Sequence, residues 1–284
     1  MKSIKLLSPA KVNLSLHVVA KRPDGYHNLS MIMARVSLYD EIVLTLKKEG
    51  ISLSCKDLSV PENENNIAWK AAQALIKEKG LKTGVHIDLK KRIPMGGGLG
   101  GGSSNAASVL MGLNKLTGSM VTNDELIKIG LNLGADVPFF IFQNPALAEG
   151  VGEKMSLLEG FPELWLILIN PGINVPTGDI FRNLNLGLTK EGKNLNITRF
   201  NHSLSKVSEN MTNDLENVTF KIYPEVKEAK KLLVKHGAMA ALMSGSGSTV
   251  FGLYEDRKKA KDSFSIMKRD ITARGWAFFL VHSL

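Results

Sequence analysis

Six glycines fall within the eleven residues Pro94–Ser104, PMGGGLGGGSS. The run lies between a segment of alternating apolar residues, Val85, Ile87 and Leu89, and one with helical spacing, Ala106, Val109, Leu110, Leu113 and Leu116. Such a density of glycine reads as a loop that leaves a strand and enters a helix, here expected over Asn105–Leu116. Successive backbone N–H groups of such a loop can converge on one point, and the unpaired N–H groups of the helix start add positive potential there. Pro94, Met95, Gly96, Gly97, Gly98, Leu99, Gly100, Gly101, Gly102, Ser103 and Ser104 therefore form a candidate cradle for an anion, phosphate foremost. A flexible linker would not be framed by two periodic segments.

Alternation through Ala10, Val12, Leu14, Leu16 and Val18, and through Ile42, Leu44 and Leu46, predicts two further half-buried strands. Ile67, Ala68, Ala71, Leu75 and Ile76 mark a helix face over Asn65–Lys79, with Gly80 as its stop. Thr122 and Glu125 have capping-box spacing and open a helix that ends near Gly134. In the second half, strands are expected at Leu164–Ile169, before Ser244, at Val250–Tyr254 and in WAFFLV at Trp276–Val281. Helices are expected at Pro224–His236 and Arg257–Arg274. The polar stretch Gly187–Asn213 reads as loop or irregular helix. Strands and helices mix in both halves, which gives an α+β class with two sandwiches, helices stacked on one face of each sheet.

With 284 residues and 44% hydrophobic content, the chain can bury a sizeable core. A single cysteine, Cys55, excludes an intramolecular disulfide and a multi-cysteine metal site. Lys11, Asn13 and Ser15 interrupt the apolar centre of the first twenty residues, and no later run approaches membrane-spanning length, so neither a leader nor a membrane segment is expected. The cytoplasm is the expected location. A formal charge of +9 favours acidic partners. The basic residues are scattered, without aromatic interleaving, which argues against nucleic acid and leaves phosphorylated metabolites.

Gly96, Gly98 and Gly101 formally satisfy G-x-G-x-x-G, but the acidic residue a dinucleotide site needs on the next strand is represented only by Asp124, at the start of a predicted helix. No lysine follows the run, so it is not a Walker A loop, and the near-match at Gly187–Asn194 lacks the hydroxyl residue. What remains is a glycine loop ending in two hydroxyls, Ser103 and Ser104, at a helix start. Backbone N–H groups could bind phosphate there, and a serine oxygen could help to hold magnesium.

Three segments in order, PAKVNL at Pro9–Leu14, PMGGGLGGGSSNAA at Pro94–Ala107 and MSGSGSTVF at Met243–Phe251, resemble the motifs of the GHMP kinases. KRPDGYHNL at Lys21–Leu29 and GADVPFF at Gly134–Phe140 are similar to those members of the family that act on a cytidine diphosphate adduct of methylerythritol. The resemblance implies an ATP-dependent small-molecule kinase of isoprenoid precursor biosynthesis with an active site in a cleft. It implies an N-terminal nucleotide-binding domain over 1–154, resembling the ribosomal protein S5 domain 2-like fold, and a C-terminal ferredoxin-like α/β sandwich over 155–284. Magnesium is expected with the nucleotide, its ligands beyond Ser103 or Ser104 unassigned. The oligomeric state is open.

Pro9, Lys11, Asn13, Ser15 and His17 share one face of the first strand, which alternation alone would give to solvent. The resemblance instead makes Lys11 a catalytic residue on an active-site floor, with Asn13 a polar contact. Asp136, before the apolar run VPFFIF, has the composition of an Asx turn between a helix and a buried strand. The resemblance implies that it is the general base, supported electrostatically by Lys11. Tyr26 and His27, in a turn by composition, would recognise cytosine by stacking and by hydrogen bonding, with Phe181 closing the other side of the base. Gly245 and Ser246 lie in a turn that reads as a simple hairpin. In the family that turn faces the first glycine loop and contacts substrate phosphate. Two alternatives stay open: a family kinase for another small alcohol, against which the DGYH segment argues, and a catalytically silent nucleotide-binding regulator, against which Lys11 and Asp136 argue.

Overall fold

The computed structural model describes residues 2–57, 59–184, 200 and 203–284. Two compact units emerge, and the chain crosses between them repeatedly: one holds residues 1–10, 38–93 and 100–143, the other residues 11–37, 94–99 and 144–284. Two long strands, β1 (Ser3–Lys21) and β2 (His27–Lys47), contribute to both.

In the first unit, β3 (Ile51–Cys55) runs parallel to β4 (Gly84–Lys90), and β4 pairs antiparallel with the Glu41–Lys47 end of β2. Helix α1 (Ile67–Glu78) packs on β3 and β4 and against α2 (Gly101–Thr117). The side chain of Asn66 caps α1 by accepting from Ala68 N–H, and Gly80 follows its end at φ +57°. Helix α3 (Asn123–Leu131) opens with the expected capping box of Thr122 and Glu125, and α4 (Val137–Phe142) packs against α2 and α3. Lys79 and the two Thr122 donors hold the Glu125 carboxyl down to about 2. The apolar run VPFFIF is thus a helix, not a strand. Five of its six residues are buried, and a run apolar all round carries no periodicity to tell the two apart.

The second unit contains an antiparallel four-stranded sheet in the order β11-β7-β10-β9, built from β7 (Trp165–Asn170), β9 (Ala240–Met243), β10 (Val250–Tyr254) and β11 (Ala277–His282). Helix α8 (Pro224–Lys235) packs on β7, β9 and β10, and α9 (Arg257–Ala273) on β7, β10 and β11. This is the ferredoxin-like arrangement expected of the C-terminal half. The same unit holds the hairpin of β5 (Ala146–Gly150) and β6 (Lys154–Leu157), with β5 paired to β2. It also holds the short helices α5 (Thr177–Arg182), α6 (Leu204–Asn210) and α7 (Glu216–Ile222) and the two-residue strand β8 (Thr212–Asn213), parallel to β1. Most of Gly187–Asn213, including the Walker-like Gly187–Asn194, lies outside the described residues; its described end holds the short helix α6, in line with the helical alternative, and the unexpected two-residue strand β8.

Candidate active site

Within the second unit, the polar face of β1 is covered rather than wet: Lys11, Asn13 and Ser15 are 3%, 1% and 0% exposed. An ammonium taken out of water must be hydrogen-bonded, and Lys11 Nζ donates to Asn13 Oδ1. Further along the face, His17 Nδ1 lies 3.6 Å from Asp214 Oδ1. The backbone of the same strand reaches the glycine segments. Lys11 N–H donates to the Leu99 carbonyl at 3.0 Å, and Asn13 N–H donates to Ser244 Oγ at 3.3 Å.

Pro94–Leu99 is laid directly onto the second glycine turn. Thr249 N–H donates to Gly97 O at 3.2 Å, and Ser244 Oγ donates to Gly98 O at 2.9 Å. Gly98 has φ +75°, and a Cβ there would stand 2.0 Å from the Ser244 carbonyl oxygen, so glycine is demanded by both conformation and space. Gly245 makes the reciprocal approach, its Cβ position being 3.5 Å from Gly98 Cα. The turn does join antiparallel β9 and β10, as a hairpin would, while also packing on the loop.

Tyr26 and His27 occupy the tip of the β1–β2 hairpin. Arg22 N–H donates to Tyr26 O at 2.8 Å, and Asp24 Oδ1 accepts from Tyr26 N–H at 3.1 Å. The Arg22 guanidinium foremost, and that backbone N–H, hold the Asp24 carboxyl below its ordinary range. His27 stacks on Phe181 of α5, with centroids 4.9 Å apart and planes at 24°. Tyr26 is 65% exposed beside them. Burial foremost, and then Lys21, pushes the His27 imidazole below 6.5, which keeps it neutral near pH 7. Ser246 Oγ lies 2.8 Å from Thr177 Oγ1 at the start of the same helix α5.

In the first unit, α2 starts at Gly101, four residues earlier than its apolar periodicity indicates, with Gly100 as N-cap at φ +68°. Gly101, Gly102, Ser103 and Ser104 thus form the first turn, whose leading N–H groups have no intrahelical acceptor. A Cβ at Gly101 would meet Ile93 Cγ2 at 3.0 Å and Lys91 Nζ at 3.2 Å, so close packing sets glycine there against its poor helix propensity. Behind this turn lies a buried polar knot that sequence spacing could not reveal. Asp40, fully buried, pairs with Lys91 Nζ through Oδ2, which also accepts from Asn105 Nδ2 at 3.0 Å. Its Oδ1 accepts from the N–H groups of Arg92 and Ile93 at 2.7 and 2.9 Å. The segment leaving β4 is thereby tied to α2.

Asp136 sits at the N-cap of α4, between two helices, yet makes no side-chain capping bond to α4. Gly134, two residues before it, comes close to the start of α2: its Cβ position is 3.8 Å from Ser103 Oγ. Among the described residues no group of three or more His, Cys, Asp or Glu side chains could hold a metal ion. Ser104 Oγ, fully buried at the start of α2, has no hydrogen-bond partner, an orphaned oxygen of the kind a magnesium–nucleotide complex could use. Among the described residues no helix is long and apolar enough to cross a membrane.

The family model for the GHMP kinases N terminal domain matches residues 66–144, and that for the GHMP kinases C terminal matches residues 195–270. The chain is 48% identical over 281 residues to the 4-diphosphocytidyl-2-C-methyl-D-erythritol kinase of Syntrophus aciditrophicus, covering 99% of both chains. It is 50% identical over 277 residues to the protein of that name from Citrifermentans bemidjiense, covering 97% of both. Its structure is similar to the crystal structure of a 4-(cytidine 5'-diphospho)-2C-methyl-D-erythritol kinase, with a TM-score of 0.85 at 34% identity over 99% of both chains.

Proposed function

We propose that this chain, which belongs to the GHMP kinase family, transfers the γ-phosphoryl group of ATP to the 2-hydroxyl of 4-diphosphocytidyl-2-C-methyl-D-erythritol, releasing ADP. The observation that carries the reading is the meeting of three motif segments in one place. The Pro94–Leu99 run, the Ser244–Ser248 turn and the Lys11–Asn13 stretch of β1 are joined through Gly97, Gly98, Leu99, Ser244 and Thr249. Near-full-length identity of 48–50% to kinases named for this substrate supports it.

The N–H groups of the Pro94–Ser104 run hold the ATP phosphates, with little covalent chemistry asked of them; positioning and charge stabilisation do most of the work in phosphoryl transfer. Asp136 takes the proton of the acceptor hydroxyl as its oxygen bonds to the γ-phosphorus and the bond to the ADP oxygen breaks. Lys11 supports Asp136 electrostatically and offsets the charge that develops. Ser104, with Ser103 beside it, would hold magnesium together with phosphate oxygens, and the ion would neutralise the nucleotide's β- and γ-oxygens. Tyr26 and Phe181 stack on cytosine, neutral His27 hydrogen-bonds its edge, and Asn13, Gly245 and Ser246 meet the rest of the acceptor.

Division into an ATP-binding part, 1–154, and a C-terminal part, 155–284, belongs to the same proposal, as do a cytoplasmic location and the absence of nucleic-acid partners. The test is ADP release measured with the cytidyl acceptor and with mevalonate, homoserine and galactose. Turnover should require the cytidyl acceptor; preference for another alcohol would overturn the assignment.

A further inference from the structure

The segment Asn213–Thr219 touches the second glycine turn and the Met243 end of β9 at four backbone atoms, two on Met243 and one each on Gly245 and Ser246. Asn213 Nδ2 donates to the carbonyls of Met243 and Gly245, both at 2.8 Å, while its Oδ1 accepts from Leu215 N–H at 2.9 Å. Glu216 Oε1 accepts from Met243 N–H at 2.9 Å, and its carboxylate is paired with Lys230 at 2.6 Å. Thr219 Oγ1 donates to Ser246 O at 3.2 Å. On its other side the same segment is anchored to β1: Asp214 N–H donates to Leu16 O at 3.0 Å, and Asp214 Oδ2 accepts from Val18 N–H at 2.9 Å. Asn213 and Thr219 are 6% and 0% exposed, so these bonds are made away from competing water.

From this geometry we infer that Asn213, seconded by Thr219, is a positioning residue that sets the anion-binding form of the Ser244–Ser248 turn. The inference rests on the proposal that this turn meets the phosphates of the acceptor. An anion is held by N–H groups and repelled by carbonyl oxygens, so a turn that binds one must hold its carbonyls back. Asn213 takes up Met243 O and Gly245 O, and Thr219 takes up Ser246 O. In a planar trans peptide the N–H points opposite to the carbonyl. With Gly245 O drawn to Asn213, the Ser246 N–H is aimed to the other side, which makes it the group offered to the anion. The fixed turn also delivers Ser244 Oγ to Gly98 O and to Asn13 N–H, coupling the acceptor's turn to the nucleotide's loop.

Asn213→Asp tests this with almost no change of shape. It keeps an oxygen for Leu215 N–H but turns a donor into an acceptor facing two carbonyls. The expected result is a rise of about 10- to 100-fold in KM for the cytidyl acceptor, with KM for ATP within about twofold of the original and folding retained. Glu216→Gln, which keeps an oxygen for Met243 N–H and gives up only the Lys230 pair, should lower Tm while leaving both KM values near the original. Thr219→Val should move the acceptor KM in the same direction as Asn213→Asp but less. If the unaltered enzyme does not use the cytidyl acceptor, the proposed function and this inference fall together. If it does, equal changes in both KM values, no change in either, or failure of both Asn213→Asp and Thr219→Val to fold would overturn the positioning role alone.

Discussion

The Ser244 hydroxyl donates to the Gly98 carbonyl oxygen at 2.9 Å, while the Ser244 carbonyl oxygen occupies the space where a Cβ at Gly98 would stand. The two glycine segments are therefore in backbone contact, and substitution at their meeting point acts on both. Gly98→Ala would place a Cβ at 2.0 Å from a backbone oxygen that no rotamer change can move. It would also put a side chain at φ +75°, a left-handed conformation that costs about 1–2 kcal/mol. Steady-state kinetics should show kcat/KM lowered by about 100-fold or more for both substrates. Gly102→Ala is the control for folding: its Cβ would meet Ile67 Cγ2 at an ordinary 3.5 Å, and Tm should hold or rise. Unchanged kinetics in Gly98→Ala would show that the contact is dispensable.

Phe181 and His27 should govern the cytidyl acceptor and leave ATP alone. Phe181→Ala removes a stacking surface worth about 1–3 kcal/mol, so KM for the acceptor should rise about 10- to 100-fold, with KM for ATP unchanged. The pH dependence has a definite sign. Because burial and Lys21 lower the His27 value below 6.5, the unfolded chain takes up this proton first as pH falls. The contribution of neutral His27 is present above about 6.5 and is lost as pH drops through its lower folded value. KM for the acceptor should climb over the same interval, and His27→Gln should flatten that limb. A pH profile identical in the two proteins would remove His27 from the site.

Ser104→Ala separates a ligand role from a structural one. A buried hydroxyl without a partner carries a desolvation cost, so its removal should leave Tm unchanged or slightly higher. If the oxygen serves the magnesium–nucleotide complex, the same variant should need more magnesium for half-maximal rate. Lower Tm with unaltered magnesium dependence would mark the hydroxyl as structural.

Asp136→Asn should lower kcat by about 100- to 10,000-fold, the range over which a positioned general base contributes. KM for ATP should stay close to the original, since the nucleotide is assigned to the glycine run. Lys11→Met should also depress kcat, and the double variant should be less impaired than the product of the two single effects if the pair acts as a unit. Multiplying effects would mean that the two residues contribute independently.

Long, strongly patterned elements were legible in the chain: α1, α3 with its capping box, α8, α9 and the strands β7, β10 and β11 all fall within a few residues of their expected places. Local pattern failed where tertiary packing decides. Helix α2 opens on glycine because Ile93 and Lys91 crowd Gly101, a residue that a helix-propensity reading counts against a helix. Val137–Phe142 has no polar face and so no period. Burial along β2 alternates only from Ala34 to Leu44; Met31–Ala34 is buried without a break, and His27, a turn residue by composition, already starts the strand. At the site, the glycine run and its hydroxyls declare themselves, whereas Asp40 with Lys91 and Asn213 with Gly245 pair across long stretches of chain. Their side chains bond backbone or each other, and this leaves no spacing to find.

Phosphorus NMR of the chain with ATP, magnesium and 4-diphosphocytidyl-2-C-methyl-D-erythritol tests the central claim most directly. A single new phosphomonoester signal should grow in step with ADP while the acceptor keeps its diphosphate signals. ADP accompanied by inorganic phosphate, or an acceptor left unchanged, would contradict phosphoryl transfer to its hydroxyl.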